Sequence, residues 1–148
     1  MSKLKSVSSY HKNGFFEAER LHRAAADGNT SEVESLIASG FNINLFDDLG
    51  RTPLHYAVEN INYKTVLYLI SMGADVNAHD EANIRETPLY YAVQSNSIEL
   101  VELLLQHGAD PDILGWMGFS VRTRVLQRKD EDGQLIARLI NRYRPLLP

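Results

Sequence analysis

Apolar residues recur along this chain in blocks, and within each block their spacing is helical rather than alternating. In the second block Leu54, Ala57 and Val58 precede a polar turn. Val66, Leu69 and Ile70 follow it at the i, i+3, i+4 spacing of one helical face. A matching block lies 33 residues earlier, where Leu21, Ala24 and Ala25 lead to Val33, Leu36 and Ile37. Another lies downstream, opening at Leu89 and continuing through Leu100, Val101, Leu104 and Leu105. Each block predicts a short helix, a turn and a longer helix. Thr52 is placed to cap the short helix, and Pro53 sits in its first turn, where a missing N–H costs nothing. Ala57 and Val58 keep that helix slim where a neighbouring unit must approach. Gly73 ends the longer helix at a position that calls for positive φ.

The polar frame around these blocks is equally regular. The stretch DDLGRTPLHYA, closed by GADVN at residues 73–77, resembles the ankyrin repeat, and copies at a fixed period make the match specific. Four copies fit, at about 17–46, 47–79, 80–112 and 113–148, behind a polar leader of residues 1–16. Phe15 and Phe16 are expected to tuck against the first copy. That copy lacks the Thr-Pro pair and has Glu19 and Arg20 instead. In the second, Ile61 replaces the Gly28 of the first, and Asn60 or Asn62 is expected to take the left-handed turn conformation.

The third copy carries a two-residue insertion within HDEANIRE and has Tyr90 in place of the motif histidine. The fourth is degenerate, with Gly118-Phe119-Ser120-Val121 where Gly-x-Thr-Pro would stand. Leu135, Ile136, Leu139 and Ile140 mark its second helix, and Pro145 ends it. Copies one and four read as caps whose outer faces meet water. The resemblance implies an all-α ankyrin-repeat solenoid, with loops projecting as fingers and first helices lining a concave face. Thr52, Pro53, Leu54, His55, Gly73, Thr87, Pro88, Leu89 and Gly108 are then scaffold positions.

Composition bounds the rest. A chain of 148 residues that is 44% apolar can bury one continuous core. It contains no apolar run of membrane-spanning length and no signal-like apolar segment behind its first residues, so a cytoplasmic address is the default. There is no cysteine, which excludes disulfides, thiolate metal sites and a cysteine nucleophile. The net charge of −4 is unevenly spread. Residues 17–115 hold 16 acidic and 5 basic side chains, whereas residues 116–148 hold 3 acidic and 7 basic. Such a field favours a basic protein partner and disfavours nucleic acid, although it also serves solubility. The run of Arg122, Arg124, Arg128 and Lys129 is short, lacks aromatic interleaving and is followed by Asp130-Glu131-Asp132, so it carries no nucleic-acid reading.

Catalytic chemistry finds no foothold. The resemblance implies that His55, and His22 aligned with it, tie adjacent repeats together. His79 and His107 fall at turns without a partner at metal-ligand spacing. Asp75 and Asp110 recur at one repeat position, as scaffold residues do, and Asp112 stands beside them. No phosphate-binding glycine loop or serine nucleophile motif is present. The chain is therefore expected to be neither an enzyme nor a carrier of any cofactor or metal.

Binding remains. In the family, partners contact finger loops and concave-face positions. Here these are Asp48, Leu49, Arg51, Tyr56, Glu59 and Asn60 in the second repeat. In the third they are Glu81, the inserted Asn83, Ile84 and Arg85, then Glu86, Tyr91, Gln94 and Ser95, and in the first Ala26 and Asp27. In the fourth, Trp116, Met117 and Phe119 align with Asp48, Leu49 and Arg51. Trp116 is expected to face a partner, while Phe119 is expected to fold back and seal the cap. The leading reading is a stand-alone module, monomeric when unbound, that inhibits or scaffolds one protein, as an immunity-type toxin inhibitor would. An assembly factor with several weak clients is the alternative, and an enzyme on this scaffold is a remote third.

Overall fold

The computed structural model describes residues 14–82 and 86–146, with side chains described from residue 19 onward. The packing expected for Phe15 and Phe16 therefore falls outside the described residues, as do Asn83, Ile84 and Arg85. Eight α-helices are found among the described residues, in four pairs. They are α1 (Gly14–Asp27) with α2 (Thr30–Ala38), and α3 (Pro53–Glu59) with α4 (Tyr63–Ser71). Then come α5 (Pro88–Gln94) with α6 (Ile98–Gln106), and α7 (Val121–Leu126) with α8 (Glu131–Tyr143). The first helix thus reaches back into residues 14–16, which the sequence assigns to the leader.

The first helices α1, α3, α5 and α7 pack in a row, and in the second layer α2 lies on α4 and α6 on α8. Each short helix buries the residue that follows its proline: Leu54 and Leu89 are both fully enclosed. Ala57 and Ala92 are enclosed too, so the helices of neighbouring repeats approach closely. Val33, Val66, Leu100 and Ile136 fill the same seam from the second helices, which makes the core continuous from end to end. No pair could keep these residues dry alone, so the stack as a whole supplies the stability. Leu135, expected in the last apolar stripe, is 40% exposed. Arg144, ahead of Pro145, leaves helical geometry with φ −138°, ending α8 where the proline dictates.

One turn departs from expectation. Asn60 and Asn62 keep negative φ, and Ile61 itself takes the left-handed conformation with φ 56°. The repeat register imposes this, because Gly28 and Asn96 hold the same slot with φ 70° and 52°. Asn62 is committed elsewhere: its side-chain amide donates to the carbonyls of Ala25 and Ala26 at 2.8 Å each, bracing the first repeat.

Candidate functional site

The faces that could meet a partner are set by how one repeat is bonded to the next. At the first junction His22 Nε2 lies 2.8 Å from the Leu45 carbonyl and 3.1 Å from that of Arg51. At the second, His55 is wholly buried. The Thr52 N–H donates to its Nδ1 at 2.9 Å, and its Nε2 donates to the Glu86 carbonyl at 2.8 Å. Nδ1 is thus an acceptor and the ring neutral, in keeping with burial that brings its pKa down to about 4. Both histidines tie adjacent repeats, as the resemblance implies.

At the third junction Tyr90 occupies the histidine position and a different device takes over. The carboxylate of Glu86 accepts from the Trp116 N–H at 3.1 Å and from Arg124 at 2.9 Å. Arg124 also donates to the Trp116 carbonyl at 3.0 Å and lies over the Tyr90 ring, 4.8 Å from its centroid. Glu86 therefore joins three repeats, with its backbone bonded to His55 and its side chain to the fourth finger. Expected at a partner-facing position, it is instead 7% exposed. Its neighbours leave no room for a partner, and its charge is met by Arg124.

Arg51 is corrected in the same way. Its guanidinium sits between the rings of Tyr56 and Tyr91, 4.1 and 4.3 Å from their centroids, and pairs with Glu59 at 2.6 Å. The Tyr56 hydroxyl donates to Asp47, and burial together with that carboxylate pushes the phenol pKa upward. Tyr91 meets Tyr90 edge-on at 5.2 Å, and burial raises its pKa as well. Tyr56, Arg51, Tyr91, Tyr90 and Arg124 form a ladder of rings and cations across three repeats. Its outer edges are half-buried rather than free.

The fourth finger is bonded to this ladder through Arg124, yet its large apolar side chains are exposed. Leu114 and Ser120 pair as a single antiparallel bridge, and Trp116–Gly118 make one 3₁₀ turn between them. Trp116 is 60% exposed and Met117 69%. Phe119, expected to seal the cap, is 44% exposed, and the buried residues of this segment are Val121 and Val125 instead. Among the other positions singled out, Asp48, Leu49, Glu59, Glu81 and Gln94 are exposed.

The basic run does not form a patch. Arg122, in register with Leu54, is 5% exposed and bonded to both oxygens of Asp112 at 2.7 and 2.9 Å, to Asn141 and to the Arg144 carbonyl. That pairing holds the Asp112 carboxyl below the usual carboxylate range and raises the Arg122 pKa. Arg128 is likewise held by Asp130. Sequence reasoning missed the roles of Glu86, Arg122 and Arg124. The available signal was Tyr90, since losing the motif histidine obliges another group to link repeats three and four.

Comparison with known proteins agrees with this architecture. The family model for ankyrin repeats (three copies) matches residues 5–80 and 21–114, well over half of the chain. The chain belongs to the ankyrin-repeat family. Human protein phosphatase 1 regulatory subunit 27 is 36% identical over 76 residues, covering 51% of this chain and 47% of that protein. Human ankyrin repeat domain-containing protein 40 is 40% identical over 60 residues, 40% of this chain and 16% of its own length. An ankyrin repeat protein of Acanthamoeba polyphaga mimivirus is 44% identical over 54 residues, 36% of this chain and 7% of the viral protein. The match thus spans less than half the length of each of these relatives. Ankyrin repeats are interaction modules, generally without catalytic function. Among the described residues no cluster of His, Asp or Glu is arranged to hold a metal ion, and no helix is long and apolar enough to cross a membrane.

Proposed function

We propose that this ankyrin-repeat chain binds one protein partner through its fingers and first-helix face, and that it inhibits or scaffolds that partner in the cytoplasm. The observation that carries the reading is the fourth finger, where Trp116, Met117 and Phe119 place three large apolar side chains in water side by side. A folded surface seldom keeps such a group exposed without a use for it, and tryptophan is the residue most enriched at binding hot spots. The name of the phosphatase relative, a regulatory subunit, supports a non-catalytic role.

The partner we propose is basic. Residues 17–115 hold 16 acidic and 5 basic side chains, and Asp48 and Glu81 are exposed, whereas Arg51, Arg122 and Arg124 are each paired with a carboxylate, Glu59, Asp112 and Glu86 in turn. Those three cations are already met by acids, which leaves the middle of the chain predominantly acidic.

The test is capture from source cells on immobilised full chain, comparing wild type with Trp116→Ala and with Asp48→Lys/Glu81→Lys. One stoichiometric partner should lose about 2 kcal/mol of affinity in Trp116→Ala, at an unchanged melting temperature. It should also bind the charge-reversed variant more weakly and with less dependence on salt. Equal capture by Trp116→Ala would remove the finger from the interface. Many partners held weakly would replace the single-partner reading with that of an assembly factor.

A further inference from the structure

The fourth finger is exposed at its side chains yet fixed at its backbone. Trp116 is held on both flanks, its N–H by Glu86 and its carbonyl by Arg124, and Arg124 is bonded to the same carboxylate oxygen. The Glu86 side chain is 6% exposed, so water competes little for these bonds. Within the loop, Gly115 donates to the Phe119 carbonyl and Gly118 to that of Gly115, both at 3.0 Å. Met117 and Gly118 sit at φ 60° and 76°, a conformation that a loose loop would not keep for a methionine. Gly115 leaves the space that the clamp needs, because a Cβ there would lie 2.5 Å from Glu86 Oε2.

Resting on the proposed binding role, we infer that Glu86 is a positioning residue that presets the Trp116 anchor, so that the finger enters its partner as a rigid plug. A preset anchor avoids the ordering loss that a loose loop incurs on contact. The surface it fits is a preformed apolar cleft with cationic side chains at its rim, matched to Trp116 and to the acidic fingers beside it. A flexible segment that folds around its target would gain nothing from such a clamp.

Trp116 is the only tryptophan in the chain, so time-resolved fluorescence anisotropy of the free, full-length protein reads this finger alone. In wild type, Trp116 should depolarise mainly with the tumbling of the whole molecule. Glu86→Ala and Gly115→Ala should each increase the amplitude of local nanosecond motion by about twofold or more. Gly115→Ala acts only by displacing the carboxylate and keeps the test decisive if Glu86→Ala does not fold. Asp48→Ala, on another finger, should leave the decay unchanged.

Folded Glu86→Ala and Gly115→Ala proteins with wild-type decays would overturn the inference. So would a wild-type decay already dominated by local motion. An immobile Trp116 that Gly115→Ala releases, together with capture unaffected by Trp116→Ala, would uphold the clamp and overturn the binding role on which it rests.

Discussion

The imidazole of His55 serves its junction only when neutral, since a second proton would set Nδ1–H against the Thr52 N–H that donates to it. Burial lowers its pKa from 6.5 to about 4. For a base depressed on folding, the stabilisation is complete above the unfolded value and is lost as pH falls towards the folded one. A depression of that size corresponds to roughly 3 kcal/mol. Urea titrations should show wild type losing more stability than His55→Gln between neutral pH and the folded pKa, and parallel curves would refute this. Ile61 makes the opposite prediction. A β-branched residue at φ 56° carries backbone strain of ~1 kcal/mol or more, and its side chain is half exposed with little packing to offset it. Ile61→Asn, which matches Asn96, should raise the melting midpoint, and a lower midpoint would show that the isoleucine packs better than its exposure implies.

Among the elements, α7 shows how a cap departs from its template. Ser120 caps it by accepting from the Thr123 N–H, as the Thr-Pro alignment foretells. Arg122 then occupies the position where Leu54 and Leu89 fill the core. Its guanidinium is buried, whereas Asp112 is half exposed. The two partners should therefore respond unequally to removal. Asp112→Ala strands a buried cation and should cost about 3 kcal/mol, while Arg122→Leu should cost less than ~1 kcal/mol. Equal losses in thermal melts of the two variants would contradict this. The helices were legible in the sequence because Leu54, Val66 and Gly73 each do one local job that recurs at a fixed offset. Arg122 and Glu86 were not, because what they do depends on Asp112 and Trp116, 10 residues back and 30 ahead. Periodicity reports what repeats share, and these contacts exist only where the repeats differ.

For the whole molecule, order should follow position in the stack. Repeats two and three pack through α3 and α5 against a repeat on each side, while repeats one and four each have a neighbour on one side only. Amide hydrogen exchange should therefore be slowest in the two central repeats and should spread inward from the ends as denaturant is added. A C-terminal pair protected as strongly as the centre would argue that Glu86, Arg124 and Arg122 weld it to the stack. The candidate surface was readable at Trp116 and Met117, whose size is wrong for a loop. It was misread at Arg51 and Glu86, because a charged residue ahead of the Thr-Pro step looks the same on paper whether it points outward or is sandwiched by tyrosines. The Glu86 bridge also bears on how such a chain can be recombined. The motif histidine of repeats one and two reaches a backbone carbonyl of the next repeat, which any sequence provides. Repeat three reaches the fourth through a matched acid, arginine and glycine. Units three and four should therefore be swapped or grafted as a pair, because a foreign fourth unit would leave the Glu86 carboxylate without its arginine.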